Sequence, residues 1–183
     1  MPATTQPRLS LGEWVVLCLV CEEPTHGFAL TRILDADGEL GQIWRVPKPV
    51  IYRALQRLEM AGLVALAELQ PSPEGPVRSL VAGTDAGRAA AAAWLAKPVS
   101  HTRDIRSELL VKLALLDRAG GDAGPLLDAQ RAQLQPVADA LEQRLAAANG
   151  IDRAVTLWRC ETVAATLRFL DAMRHPAPVA PAR

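Results

Sequence analysis

Apolar positions recur at helical spacing through the first sixty residues, alternate more loosely through the next twenty, and return to helical spacing for the rest of the chain. The run LGEWVVLCLVCEE at 11–23 places Leu11, Trp14, Val15, Leu17 and Cys18 toward a core. Ser10 followed by Glu13 is a capping-box pair, so a first helix starts there and ends before Pro24. A second helix is predicted over HGFALTRILDADG, with Thr25 as its cap, Phe28, Leu30, Ile33 and Leu34 buried, and Gly38 at its end. ELGQIW reads as a turn. The stretch WRVPKPVIYRALQRLEMAGL at 44–63 then predicts a third helix, with Pro49 at the first helical position and Gly62 as a left-handed stop. Ile51, Leu55, Leu58 and Ala61 are its apolar stripe.

The period changes after Gly62. LVALAELQ and PVRSLVAG are short runs rich in Val, Leu and Ala, separated by PSPEGP, which predicts a β-hairpin with a Pro/Gly tip. Three short helices followed by a hairpin are the order of a winged helix-turn-helix. Thr84 is the expected N-cap of an alanine-rich helix, DAGRAAAAAWLAKP. From residue 98 onward the pattern is all helical. Asp104–Arg118 carries Ile105, Leu109, Leu110, Leu113 and Leu116, and Gly120-Gly121 breaks it. A long helix opens at Asp122 or Pro125 and runs to Asn149, with Pro136 expected to kink or split it. The last helix, 151–173, carries Trp158, Val163, Leu167, Phe169 and Leu170 over an arc too wide for one neighbour to cover. Those helices suit either a monomeric bundle or packing against a second copy. The tail from His175 is Pro/Ala-rich and expected to be disordered. The fold class expected is mainly α with one small hairpin, divided into a winged helix-turn-helix domain at 1–97, an all-α region at 98–174, and a tail at 175–183.

The chain has 183 residues, half of them apolar, and a formal charge of zero, so nucleic-acid binding has to come from local clustering. Residues 1–95 hold 8 basic and 10 acidic side chains. Against that background, 44–57 contains four cations and no acid. The face of the third helix opposite its stripe carries Tyr52, Arg53, Gln56 and Arg57, with Arg45 and Lys48 just before it. Arg and Gln can pair bidentately with base edges, whereas Lys and a Tyr hydroxyl suit phosphate. Arg53, Gln56 and Arg57 are thus candidates for reading bases or phosphates, and Tyr52, Lys48 and Arg45 for positioning on the backbone. The plain alternative is a solvated basic face.

Other chemistry is thinly represented. Cys18, Cys21 and Cys160 are an odd number of thiols, and the CxxC at 18–21 sits one turn apart on an apolar helix, the place of core cysteines. The N-terminus lacks a secretory pattern and no apolar run reaches the ~18 residues of a membrane span, which points to a reduced, cytoplasmic protein. His26, His101 and His175 are scattered, and no HExxH, GxSxG, P-loop or GxGxxG occurs. Asp35, Asp37 and Glu39 cluster at a helix shoulder, where carboxylates are ordinarily solvated. No catalytic residue, metal site or cofactor is expected. Trp94, an indole amid alanines, is the candidate wall of an effector pocket, with a core or interface position as the plain alternative.

HGFAL at 26–30, VIYRALQRLEMAGLV at 50–64, and Arg78 followed by Thr84-Asp85-Ala86-Gly87-Arg88, in this order and spacing, resemble the PadR family of bacterial transcriptional regulators. The resemblance covers roughly residues 9–97 and continues more loosely beyond. It implies a winged-helix repressor that binds a double-stranded DNA operator as a homodimer through its C-terminal helices. Some members of that family respond to small molecules. Arg78, on the returning strand, would supply the wing's contact. The chain departs from the pattern at Val81, where an aromatic is usual, at Pro47, where a capping Ser is common, and at the tip, where Glu74 stands in place of basic residues. The acidic tip and zero net charge leave a rival: a winged helix used as a protein-interaction module without DNA affinity.

Overall fold

The structure is a computed structural model, and it describes residues 8–72 and 75–175. It forms two compact units: the chain to Ala96 with Arg106–Gly121, and Lys97–Ile105 with the chain from Asp122. The helices are α1 (Leu11–Glu22), α2 (Gly27–Leu34), α3 (Lys48–Met60), α4 (Asp85–Ala96), α5 (Leu110–Arg118), α6 (Gly124–Ala147) and α7 (Gly150–Arg174). Between α3 and α4 run β1 (Val64–Ser72) and β2 (Gly75–Gly83).

In the first unit α1 is the central rod. It begins as its sequence requires: the Ser10 side chain accepts from the Glu13 N–H while the Glu13 carboxylate accepts from the Ser10 N–H at 2.7 Å and its hydroxyl at 2.9 Å. Every residue from Gly12 to Val20 is buried. Leu30 and Leu34 of α2, Ile51, Ala54 and Leu58 of α3, and Val111 and Leu115 of α5 share one core with it. Each such aliphatic side chain contributes about 1.5–3 kcal/mol by leaving water. Burial of Val111 and Leu115 is also why Arg106–Gly121, grouped by sequence with the C-terminal helices, clusters with the N-terminal unit.

Local signals placed several boundaries, whereas both ends of α2 and the start of α3 differ from expectation. Thr25 does not cap α2. Its N–H donates to the Val81 carbonyl at 3.0 Å and its carbonyl accepts from Val81 at 2.8 Å, so it forms a bridge alongside the wing. His26 caps instead, its Nδ1 accepting from the Ala29 N–H at 3.0 Å. The helix then ends at Leu34 rather than Gly38, and Phe28, expected inside, is 54% exposed. The chain from Asp35 to Pro47 is seated by Leu40 and Val46, both buried, and by the Val46 N–H donating to the Leu34 carbonyl at 3.1 Å. Lys48, not Pro49, is the first residue of α3, after Pro47 in extended conformation without a side-chain cap. Gly62 ends α3 at φ +68, with its N–H on the Glu59 carbonyl and the Leu63 N–H on the Leu58 carbonyl, the double bond of a Schellman stop.

β1 and β2 pair antiparallel, Val64 opposite Gly83 and Gln70 opposite Arg78, with irregularities at Leu66/Glu68 and Gln70/Ser72. The wing expected from sequence is therefore present, its strands reaching further toward the tip than predicted. Pro73 and Glu74 lie outside the described residues, as do the side chain of Arg78 and the tail from Pro176. Thr84 closes the wing onto α4: its hydroxyl accepts from the Gly87 N–H at 3.0 Å and donates to the Gly62 carbonyl at 2.8 Å. Gly87 is required because a Cβ there would collide with the Leu63 carbonyl.

The second unit is a helical hairpin. The segment predicted as one helix over 104–118, most of which belongs to the first unit, instead starts with a 3-10 turn at Thr102–Asp104 and a π turn at Ile105–Leu109 before α5. Pro136 does not split α6, which runs unbroken from Gly124 to Ala147. Leu126, Leu127, Leu134 and Ala138 of α6 and Val163 and Leu170 of α7 are buried. Gln130, fully buried, clasps the backbone of Val99, accepting from its N–H at 2.7 Å and donating to its carbonyl at 3.1 Å.

Candidate nucleic-acid interface

The third helix is where sequence and geometry converge. Its inner face is Ile51, Ala54 and Leu58, all buried, with Leu55 half-buried; Ala61, read as part of the stripe, is exposed. Turning the stripe inward leaves Lys48, Tyr52, Arg53, Gln56 and Arg57 exposed on the outer face, with Arg45 exposed just before the helix. The residues singled out by sequence are thus brought onto one surface, Arg78 excepted, whose strand position is defined and whose side chain is not described.

They differ in how free they are. Lys48, Arg53 and Gln56 have no hydrogen-bond or ion-pair partner among the described residues. Arg45 pairs loosely with Asp35 at 3.3 Å, both side chains being more than half exposed, a contact that water and salt weaken. Tyr52 is 43% exposed. Its ring lies over Gly27, where an added Cβ would stand 2.8 Å from the ring carbons, so the glycine of the HGF sequence is what lets the tyrosine lie down on α2. Arg57 is tethered: Nη1 sits 2.7 Å from Oε1 of Glu13, whose side chain is 5% exposed against 65% for the arginine. Sequence reading missed Glu13 in this role, because its capping-box position accounts for its presence and the partner lies on another helix.

Two of the three acids at the helix shoulder, Asp35 and Glu39, are paired. Asp35 holds Arg45, and Glu39 joins Glu22 in flanking the Arg118 guanidinium. Burial pushes the Glu22 carboxyl above its ordinary value, opposed by Arg118. Burial likewise raises the thiols of Cys18 and Cys21, which leaves them protonated and weakly nucleophilic. No group of three or more His, Cys, Asp or Glu among the described residues could hold a metal ion. No helix of the described residues is long and apolar enough to cross a membrane.

Trp94 is buried and stacked on Trp14, ring centroids 5.3 Å apart and planes within 5°. Lys112 covers it at 4.6 Å from the ring centroid and pairs with Glu108 at 2.8 Å. The room that neighbouring alanines would leave is filled by an indole and an ammonium. An open groove of about 570 Å³ on the same unit is lined by His26, Phe28, Ala29, Arg32, Ile33 and Glu39, and Trp94 is not among its walls.

A helical head whose third helix is anchored by its stripe, turns cations outward and runs directly into an antiparallel hairpin is a winged helix-turn-helix protein. Residues 16–93 match the model of the transcriptional regulator PadR-like family. It is 33% identical over 105 residues to the probable transcriptional regulator Rv1176c of Mycobacterium tuberculosis, a match covering 57% of this chain and 53% of that protein. The chain thus matches about half the length of that relative. Among solved structures it is similar to Bacillus subtilis PadR in complex with operator DNA, at 17% identity and TM-score 0.47, covering 90% of this chain and 98% of that one. It is also similar to smu.1604c from Streptococcus mutans, at 17% identity and TM-score 0.44, covering 89% and 94%.

Proposed function

We infer that the protein is a sequence-specific, DNA-binding transcriptional regulator that acts as a homodimer, a repressor of the PadR type. The observation that carries this is the outer face of α3, where Lys48, Tyr52, Arg53 and Gln56 stand exposed in a stretch free of acids, on a helix whose other side is buried. Two such helices would lie in successive major grooves, with Arg53 and Gln56 toward base edges and Lys48, Tyr52 and Arg45 toward the backbone. Arg78 would supply the wing's contact. The dimer reading is supported by α7, where Ile151, Val155 and Trp158, spaced i, i+4, i+7, form an exposed apolar stripe distinct from the buried row Thr156, Val163 and Leu170. The family resemblance adds release by a small-molecule effector and a place in the cytoplasm, with binding rather than catalysis as the activity.

Selection from a random duplex pool with purified protein tests the reading. Enrichment of a two-fold symmetric sequence is expected, with retention falling steeply with salt, a log–log slope of about −0.9 for each phosphate neutralised. The rival, a winged helix that binds protein, draws on Glu74 at the wing tip and the zero net charge. It predicts no enrichment at any salt concentration.

A further inference from the structure

We propose that Glu13 and Arg57 form a positioning pair that sets the recognition helix, leaving base reading to Arg53 and Gln56; this rests on the DNA-binding reading above. The Glu13 carboxylate is divided between two tasks. One oxygen, Oε2, takes both donors of Ser10 at the start of α1. The other, Oε1, takes Nη1 of Arg57 in the last turn of α3 at 2.7 Å. This carboxylate is buried, and Arg57 is the cation paired with it among the described residues. A buried charge strongly favours keeping its partner, and Coulomb attraction is least screened where water is excluded. Arg57 is thereby held to α1, the most buried helix of the unit. Earlier on the same helix, Tyr52 rests on Gly27 of α2. The helix is pinned at two points to two different neighbours, and Arg53 and Gln56, between the pins, have no partner among the described residues. A guanidinium committed to a buried carboxylate loses much of the freedom needed for a bidentate base contact, whereas an uncommitted one keeps all five donors.

The test uses full-length protein and a random duplex pool, followed by affinity measurements on the enriched sequence well below each variant's melting temperature. Arg53→Ala and Gln56→Ala should each lose preference at one position of the half-site and weaken binding about 5- to 150-fold, the range of a lost bidentate base contact. Arg57→Ala and Glu13→Gln should keep the same preferred base at every position while weakening binding several-fold. Arg57→Lys, which can still pair with Glu13, should recover most of the loss. The double variant Glu13→Gln/Arg57→Ala should bind no worse than Arg57→Ala alone, because both remove one interaction. Should Arg57→Ala lose preference at a single position that Arg57→Lys does not restore, Arg57 is a reader and the proposal fails. It fails equally where the two single losses simply add. Wild-type protein that enriches no duplex overturns the DNA-binding reading itself, and this division of labour with it.

Discussion

At Gly27 the absence of a side chain has a use that can be measured. A Cβ there would sit 2.8 Å from the Tyr52 ring, closer than atoms tolerate, so Gly27→Ala must push the tyrosine off α2. Overpacking of this kind costs about 1–3 kcal/mol, readable as a lowered thermal or urea midpoint. DNA affinity should fall as well, since Tyr52 is both a rest for α3 and a phosphate candidate. Tyr52→Phe separates the two uses. It keeps the ring on Gly27, so stability should hold while binding weakens alike on all sequences. Trp94 illustrates the opposite situation. Its neighbours in sequence are mostly alanines, but Trp14 and Lys112 reach it from other helices.

At the scale of elements, the wing is the part whose chemistry departs furthest from its expected task. Phosphate should repel Glu74, so Glu74→Lys should tighten binding to operator and random duplex alike and steepen the salt dependence by about one phosphate's worth. Equal salt slopes for both proteins would remove the tip from the interface. The elements themselves were legible where the signal is local. Ser10 with Glu13, Gly62 with its positive φ, and Thr84 ahead of α4 each act within a few residues, and sequence finds them. The misreadings arise where a distant strand or helix intervenes. Val81 claims Thr25 as a bridge partner, which moves the cap of α2 to His26. The outer face of α3 was readable because an apolar stripe defines its own opposite. That Arg57 is tied to Glu13 was not, since nothing in either residue's neighbourhood in sequence announces the other.

For the whole molecule, the proposed dimer turns on the exposed stripe of α7. Trp158 is 73% exposed, and with Ile151 and Val155 it makes a stripe of a kind that soluble helices ordinarily cover. Trp158→Glu should convert a dimer to a monomer by light scattering and weaken operator binding sharply, since two linked heads bind far more tightly than one. A variant that stays dimeric would place the interface elsewhere. Should that stripe be the seam of the proposed dimer, the robustness of this protein becomes a matter of how much of it is present. When a folded partner is itself the stabilising ligand, mass action lifts the melting temperature as protein concentration rises and lowers it on dilution. Trp158→Glu should melt at one temperature whatever its concentration, whereas the wild type should not. A regulator made in small amounts would then be at its most fragile when scarcest.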